Sequence, residues 1–61
     1  MSYEKYAEIR DSKGLSDYRV AQETGVSTAT LTSWKKGLYK PKVDKLQKLA
    51  DYLKVSIVEL L

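Results

Sequence analysis

The chain has 61 residues with a formal net charge of +3, and it contains neither Cys nor His. A chain of this length buries only about 60% of the surface that it exposes when unfolded, so we expect one small domain, residues 1–61, without a deep active-site cleft. The missing Cys and His exclude disulfides, the usual zinc ligands and the usual general base, so we predict no metal, no cofactor and no enzymatic activity. No apolar run of about 18 residues and no signal peptide is present, so we predict a cytoplasmic protein.

The first predicted helix covers residues 2–12. Tyr3, Tyr6, Ala7 and Ile9 give it a loose apolar stripe, and Lys13-Gly14 ends it.

A start signal recurs three times, as "LSDYRV" from Leu15, "VSTATL" from Val26 and "VSIVEL" from Val55. Each copy has an apolar residue, a serine and, after three further positions, a second apolar residue. This is the arrangement of an N-cap serine with a hydrophobic staple. It predicts helices at 16–24, 27–36 and 56–61, and Glu59 adds a capping box to the last of them.

Another helix is predicted from the spacing of apolar residues in "VDKLQKLADYL". Leu46, Leu49, Ala50 and Leu53 fall at i, i+3, i+4 and i+7, which predicts a buried stripe on a helix over 43–53, after the break at Pro41. No segment alternates with period two. The fold class predicted is therefore all-α with five helices.

The second and third helices are joined by a turn of about three residues that contains Gly25. Two short helices joined in this way form a helix-turn-helix, here at about residues 16–36. A small helical bundle uses similar turns for packing alone, so the position of the turn leaves both interpretations open.

The third helix carries unusually many weak helix formers, since Thr and Ser fill much of it. At about 100° per residue, Leu31 and Trp34 fall on one side and are predicted to be core residues. The opposite side collects small side chains and a lysine, namely Thr28, Ala29, Thr32, Ser33 and Lys36. Such a face suits close approach to another surface, and the major groove of DNA is one that admits a helix.

Positive charge is concentrated in residues 26–45, which hold five lysines against Asp44. Residues 1–25 hold four basic and five acidic groups, and residues 46–61 hold two of each. This local excess is a candidate site for phosphate contacts, although a solvated lysine face without a partner has the same composition.

The segments "LSDYRVAQETGVSTATLTSWKKG", "KP" and "LQKLADYLKVSIVELL" resemble the phage-repressor type of helix-turn-helix domain, the family of the Cro and CI repressors and the XRE-like bacterial regulators. The resemblance implies a five-helix, lambda-repressor-like domain. It also implies binding to double-stranded operator DNA, usually as a homodimer on a pseudo-palindrome.

The resemblance assigns individual roles to residues of this chain. The base-reading positions of the family fall on Thr28, Ala29, Thr32 and Ser33. The positions that contact phosphate fall on Ser27, Lys36, Lys40 and Lys42.

Two residues depart from the family pattern. Many relatives have Gln at the position of Asp17, where a phosphate approaches, and a carboxylate there would repel it. Relatives often pair Arg10 with a Glu at the position of Lys35, and that pair cannot form here. Arg10 is left either to bind another acid or to contact phosphate.

The function predicted is sequence-specific binding of double-stranded DNA by a transcriptional regulator that acts as a repressor. The alternative is a protein-interaction module, such as an antitoxin or an adaptor, that uses the same face of the third helix. Ile57, Leu60 and Leu61 exceed the needs of one helix stripe, so they belong either to a dimer interface or to the core of the monomer.

Overall fold

The computed structural model describes residues 2–61, which form four α-helices and one short 3₁₀ helix and contain no strand. The α-helices are α1 (Ser2–Ser12), α2 (Asp17–Thr24), α3 (Thr28–Lys35) and α4 (Val43–Leu53), and the 3₁₀ helix covers Ile57–Leu60. The all-α prediction is confirmed, and the first four helices lie where the sequence predicted them. No helix in this part of the chain is long and apolar enough to cross a membrane.

The prediction of a fifth α-helix is wrong, because Ile57–Leu60 is wound as a 3₁₀ helix of four residues. The backbone N–H of Glu59 donates to the carbonyl of Ser56 at 3.0 Å, an i to i−3 bond. A segment this short makes too few i to i−4 bonds to offset the entropy of nucleating an α-helix. The Glu59 carboxylate lies 3.5 Å from Lys5 Nζ, so it is engaged with α1.

Serine side chains cap the three segments that the recurring signal marked. Ser16 Oγ and Ser27 Oγ each accept the backbone N–H three residues further on, at 3.1 Å in both cases. Ser56 Oγ accepts the N–H two residues further on, at 3.3 Å. The caps satisfy donors that would otherwise lack a partner within the helix.

One apolar core lies between the helices. α1 packs against α3 and the 3₁₀ helix, and α4 packs against α2 and the 3₁₀ helix. The largest fully buried side chains are Tyr6, Val20, Val26, Leu31, Leu46, Leu49, Leu53 and Leu60. Burying an aliphatic side chain of this size contributes about 1.5–3 kcal/mol. Burial therefore stabilises helices whose own propensity is modest.

α4 ends at a residue with left-handed backbone geometry. Lys54 has φ +60°, and within residues 2–61 no other non-glycine residue has a positive φ. The N–H of Val55 donates back to the carbonyl of Ala50 at 3.0 Å, which closes the helix end. Glycine is the usual residue at this position, because a side chain is strained there.

Candidate nucleic-acid interface

A tight connection, Gly25 to Ser27, joins α2 to α3. Gly25 has φ +80°, and its N–H donates to the carbonyl of Ala21 at 2.9 Å, which ends α2. Val26 is buried directly after it, and its N–H donates to Thr24 Oγ1 at 3.2 Å. Only glycine adopts this φ without steric strain. The chain therefore reverses within three residues and forms the helix-turn-helix predicted at about residues 16–36.

The inner side of α3 is fixed in an aromatic cluster. Leu31 and Trp34 are buried, as predicted. The Trp34 ring lies 5.4 Å from the ring of Tyr3 in an edge-on arrangement and 5.3 Å from the ring of Tyr6. Aromatic pairs at these separations stabilise beyond the area that they bury. α3 is thus held by α1 and the core, which explains how a helix rich in Thr and Ser is maintained.

The four residues predicted to contact bases differ in exposure. Thr28, Ala29 and Thr32 are exposed, whereas Ser33 is partly buried. The chain after α3 folds back over its last turn, and the N–H of Leu38 donates to the carbonyl of Ser33 at 2.9 Å. The hydroxyls of Thr28 and Thr32 have no hydrogen-bond partner within residues 2–61. Three of the four positions are therefore open to a partner, and Ser33 is open only in part.

Ser27, predicted to contact phosphate, is exposed and already engaged within the chain. Its Oγ accepts the N–H of Thr30 at 3.1 Å and lies 2.9 Å from Thr30 Oγ1. A hydroxyl has one proton and two acceptor lone pairs. Ser27 can therefore donate to a phosphate oxygen while Thr30 donates to Ser27. The sequence did not indicate this supporting role of Thr30.

The three lysines predicted to contact phosphate, Lys36, Lys40 and Lys42, are all exposed. Within residues 2–61 none of them has an ion-pair partner. Lys36 directly follows α3 and its N–H donates to the Thr32 carbonyl at 3.1 Å, while Lys42 directly precedes α4. Unpaired cations at the end of one helix and the start of the next produce a positive potential that attracts a polyanion.

A network that the sequence did not predict joins α1 to the start of α2. Arg10 Nη1 donates to Asp17 Oδ1 at 2.7 Å and to Tyr3 Oη at 3.1 Å. The hydroxyls of Tyr6 and Tyr3 also donate to the Asp17 carboxylate, at 2.8 and 2.9 Å. The other end of the guanidinium bonds Asp11, with Nη2 at 2.8 Å from Oδ1. Arg10 thus binds acids, which answers the question that the sequence left open.

These contacts shift the ionisation of the network. Burial of the Asp17 carboxyl opposes its ionisation, but hydrogen bonds from Arg10, Tyr6 and Tyr3 outweigh burial and hold the pKa of Asp17 below its usual value. Burial and the hydrogen bond to Asp17 raise the pKa of the Tyr6 hydroxyl. Asp17 is therefore a carboxylate at neutral pH and is paired with Arg10.

An open groove of about 710 Å³ lies beside the end of α3. Its walls include Leu38, Tyr39, Lys40 and Leu61, together with Trp34. Leu38 is 77% exposed and Leu61 is 58% exposed. We call Leu38, Tyr39 and Leu61 the apolar patch.

The C-terminal residues Ile57, Leu60 and Leu61 differ in burial, and the core interpretation holds for two of the three. Leu60 is fully buried and Ile57 packs partly buried against the core, whereas Leu61 belongs to the exposed apolar patch.

Among the residues that the structure describes, no three acidic side chains are grouped closely enough to hold a metal ion.

Comparison with known proteins identifies a family for this chain. The model of a family described as helix-turn-helix matches residues 7–60. No curated protein and no solved structure matches the chain significantly. The matched span includes α2, the Gly25 turn and α3, so the chain belongs to the helix-turn-helix family, as an XRE-like, DNA-binding domain of the transcription-regulator type.

Proposed function

We propose that this protein is a transcriptional repressor that binds a pseudo-palindromic DNA site as a homodimer, with α3 in the major groove. The observation that carries the proposal is the two-sided character of α3. Leu31 and Trp34 fix its inner side, while Thr28, Ala29 and Thr32 remain exposed on a helix whose C-terminal end is followed by lysines. The major groove is wide enough for an α-helix, and short side chains allow the helix to approach the bases closely.

The proposal divides the interface into two kinds of contact. Base edges are read by Thr28, Ala29 and Thr32, with Ser33 contributing through the part of it that is exposed. Phosphates are bound by Ser27, Lys36, Lys40 and Lys42. Phosphate contacts set the position and orientation of a protein on the duplex, and base contacts supply the sequence preference.

A homodimer is proposed because one copy has few strong base contacts. Thr28, Ala29 and Ser33 cannot form the bidentate hydrogen bonds that Arg, Asn and Gln make to bases. A second copy bound to a half-site about 34 Å away doubles the contacts. Its α3 then enters the major groove one helical turn further along, on the same side of the DNA. The exposed apolar patch supports this step, because a second copy of the chain would cover it.

Repression is the simplest consequence of such binding. A protein bound across a promoter excludes the polymerase without any further contact. When the selected site is placed within a promoter that drives a reporter, expression of the protein should lower the reporter signal. A signal that rises would identify an activator.

Selection of bound duplexes from a random DNA pool tests the proposal. We expect a preferred half-site that occurs twice with dyad symmetry, and an affinity that falls steeply between about 50 and 200 mM salt. Fluorescence anisotropy on the selected duplex measures both affinity and salt dependence. A protein that retains no duplex at about 50 mM salt would contradict the proposal and favour a protein partner for the same face.

A further inference from the structure

The exposed side of α3 offers an unusual set of chemical groups. Thr28, Ala29 and Thr32 together present three methyl groups and two hydroxyls, and all three residues are exposed. Positions 28–33 contain no Arg, Lys, Asn, Gln, Asp or Glu. The first turn and a half of the helix therefore lacks every side chain that makes bidentate or charged contacts to base edges.

The available groups differ in how well they discriminate between bases. A threonine hydroxyl both donates and accepts, so it can satisfy several base edges in the major groove. A methyl group is more selective, because the C5 methyl of thymine is the apolar group that a base pair displays there. The methyl groups of α3 therefore carry more sequence information than its hydroxyls.

We propose that α3 selects its site by packing the methyl groups of Thr28, Ala29 and Thr32 against thymine C5 methyl groups. This inference rests on the proposed function and names the class of DNA that the site takes. The half-site under α3 is then rich in A·T pairs, with thymines placed where the three side chains meet the groove. Removing one buried methyl from such a contact weakens binding about fourfold.

The backbone geometry favours short-range contacts of this kind. α3 begins directly after Ser27, which accepts the N–H of Thr30 and so fixes the first turn. Trp34 and Leu31 fix the opposite side of the helix. A methyl contact loses up to about half of its dispersion energy when the two groups separate by about 1 Å, so it requires a helix that is held firmly.

Uracil substitution provides the test. The duplex that the protein binds most tightly in the random-pool selection is synthesised again with deoxyuridine in place of each thymidine in turn. Uracil keeps the hydrogen-bonding groups of thymine and lacks only the C5 methyl. We expect about fourfold weaker binding at each contacted thymine, and unchanged binding at thymines outside the half-sites.

Two matched variants of one residue assign the effect to the protein. Thr32→Ser removes the side-chain methyl and keeps the hydroxyl, whereas Thr32→Val removes the hydroxyl and keeps the methyl. We expect Thr32→Ser to lose the thymine-over-uracil preference at its own position and Thr32→Val to retain it. Thr28→Ser should act in the same way at a different thymine. All of these sites are exposed, and circular dichroism checks that each variant folds.

The outcomes separate the inference from the function on which it rests. Wild-type protein that binds thymine and uracil duplexes equally well would overturn methyl recognition and leave DNA binding intact. A selected half-site without thymine would do the same. A uracil effect that persists unchanged at every thymine in both Thr→Ser variants would also overturn the inference, because neither threonine methyl would then contribute to it. Failure to bind any duplex would overturn both proposals.

Discussion

Arg10 Nη1 lies 2.7 Å from Asp17 Oδ1, and this ion pair joins α1 to the first turn of the helix-turn-helix. The two side chains are 17% and 28% exposed, so water screens the pair only in part. Hydrogen bonds to charged groups contribute about 1.5–3 kcal/mol. We expect Asp17→Asn to lower the free energy of unfolding by about 1–3 kcal/mol, measured by urea denaturation.

The matched control is Asp11→Asn. Asp11 bonds the same guanidinium at 2.8 Å, but its side chain is 68% exposed. Exposed pairs contribute about 0–1 kcal/mol, so this variant should change little. Equal losses in the two variants would show that the Arg10–Asp17 contact is no more stabilising than the exposed one.

Stability should depend on pH through Asp17. Its pKa is lowered in the folded state, so the unfolded chain binds the proton first as the pH falls. The stabilisation by Asp17 is therefore complete above its unfolded pKa of about 3.9 and is lost as the pH falls through the folded pKa. We expect the free energy of unfolding of the wild type to fall more steeply below about pH 4 than that of Asp17→Asn. Parallel curves, from urea denaturation at each pH, would contradict the assignment.

Lys54→Gly should stabilise the protein. The backbone of Lys54 has φ +60°, a conformation that glycine adopts without strain. Relief of that strain is partly offset by the larger entropy of glycine in the unfolded chain, so the expected gain is about 0.5–1 kcal/mol. Thermal and urea unfolding measure it.

Lys48→Gly is the control for that prediction. Lys48 is exposed within α4, where glycine is unfavourable by about 1 kcal/mol. Replacing lysine by glycine should thus raise the free energy of unfolding at position 54 and lower it at position 48. A loss of stability at both positions would mean that the left-handed conformation of Lys54 is not strained.

Lys36→Ala and Lys40→Ala should weaken DNA binding by similar factors on all duplexes. Each lost phosphate contact should reduce the salt slope by about one. Anisotropy titrations at several salt concentrations measure the slope. Lys54→Gly removes a lysine about 18 Å from Lys42, at the opposite end of α4, so its slope should stay close to that of the wild type. A comparable reduction in all three variants would indicate a diffuse charge effect without defined contacts.

The dimer proposal predicts an effect of the apolar patch. Leu38→Ser and Leu61→Ser should weaken self-association, measured by equilibrium sedimentation with and without the selected duplex. Val58→Ser is the control, because Val58 is 70% exposed but does not line the groove. A wild type that stays monomeric in solution and forms only a 1:1 complex with a palindromic duplex would contradict the proposal.

The helix positions could be predicted because their signals are local. An N-cap serine, its staple and the i, i+3, i+4 spacing of Leu46, Leu49 and Ala50 involve residues within one or two turns of one another. The same local signals failed at Ile57–Leu60. They mark where a helix starts, but the hydrogen-bond pattern depends on how many residues follow in the same conformation.

Contacts between helices were less predictable. The Arg10–Asp17 pair depends on where α1 lies relative to the start of α2, and both positions are set by packing against other helices. The resemblance indicated only that Arg10 needs a different partner here, since relatives often have a Glu at the position of Lys35. The partial burial of Ser33 was missed for a similar reason, because the loop that covers it is irregular.

Trp34 packs with Tyr3 and Tyr6, on the side of α3 that faces away from solvent. Substitutions at Thr28, Ala29 and Thr32 leave that aromatic cluster intact. Under the proposed function, fold stability and target preference therefore reside in separate sets of residues on one short helix. A few substitutions on the exposed side of such a helix can change its DNA target with little effect on the free energy of unfolding. Evolution or an engineer can therefore vary the target without first making the protein more stable.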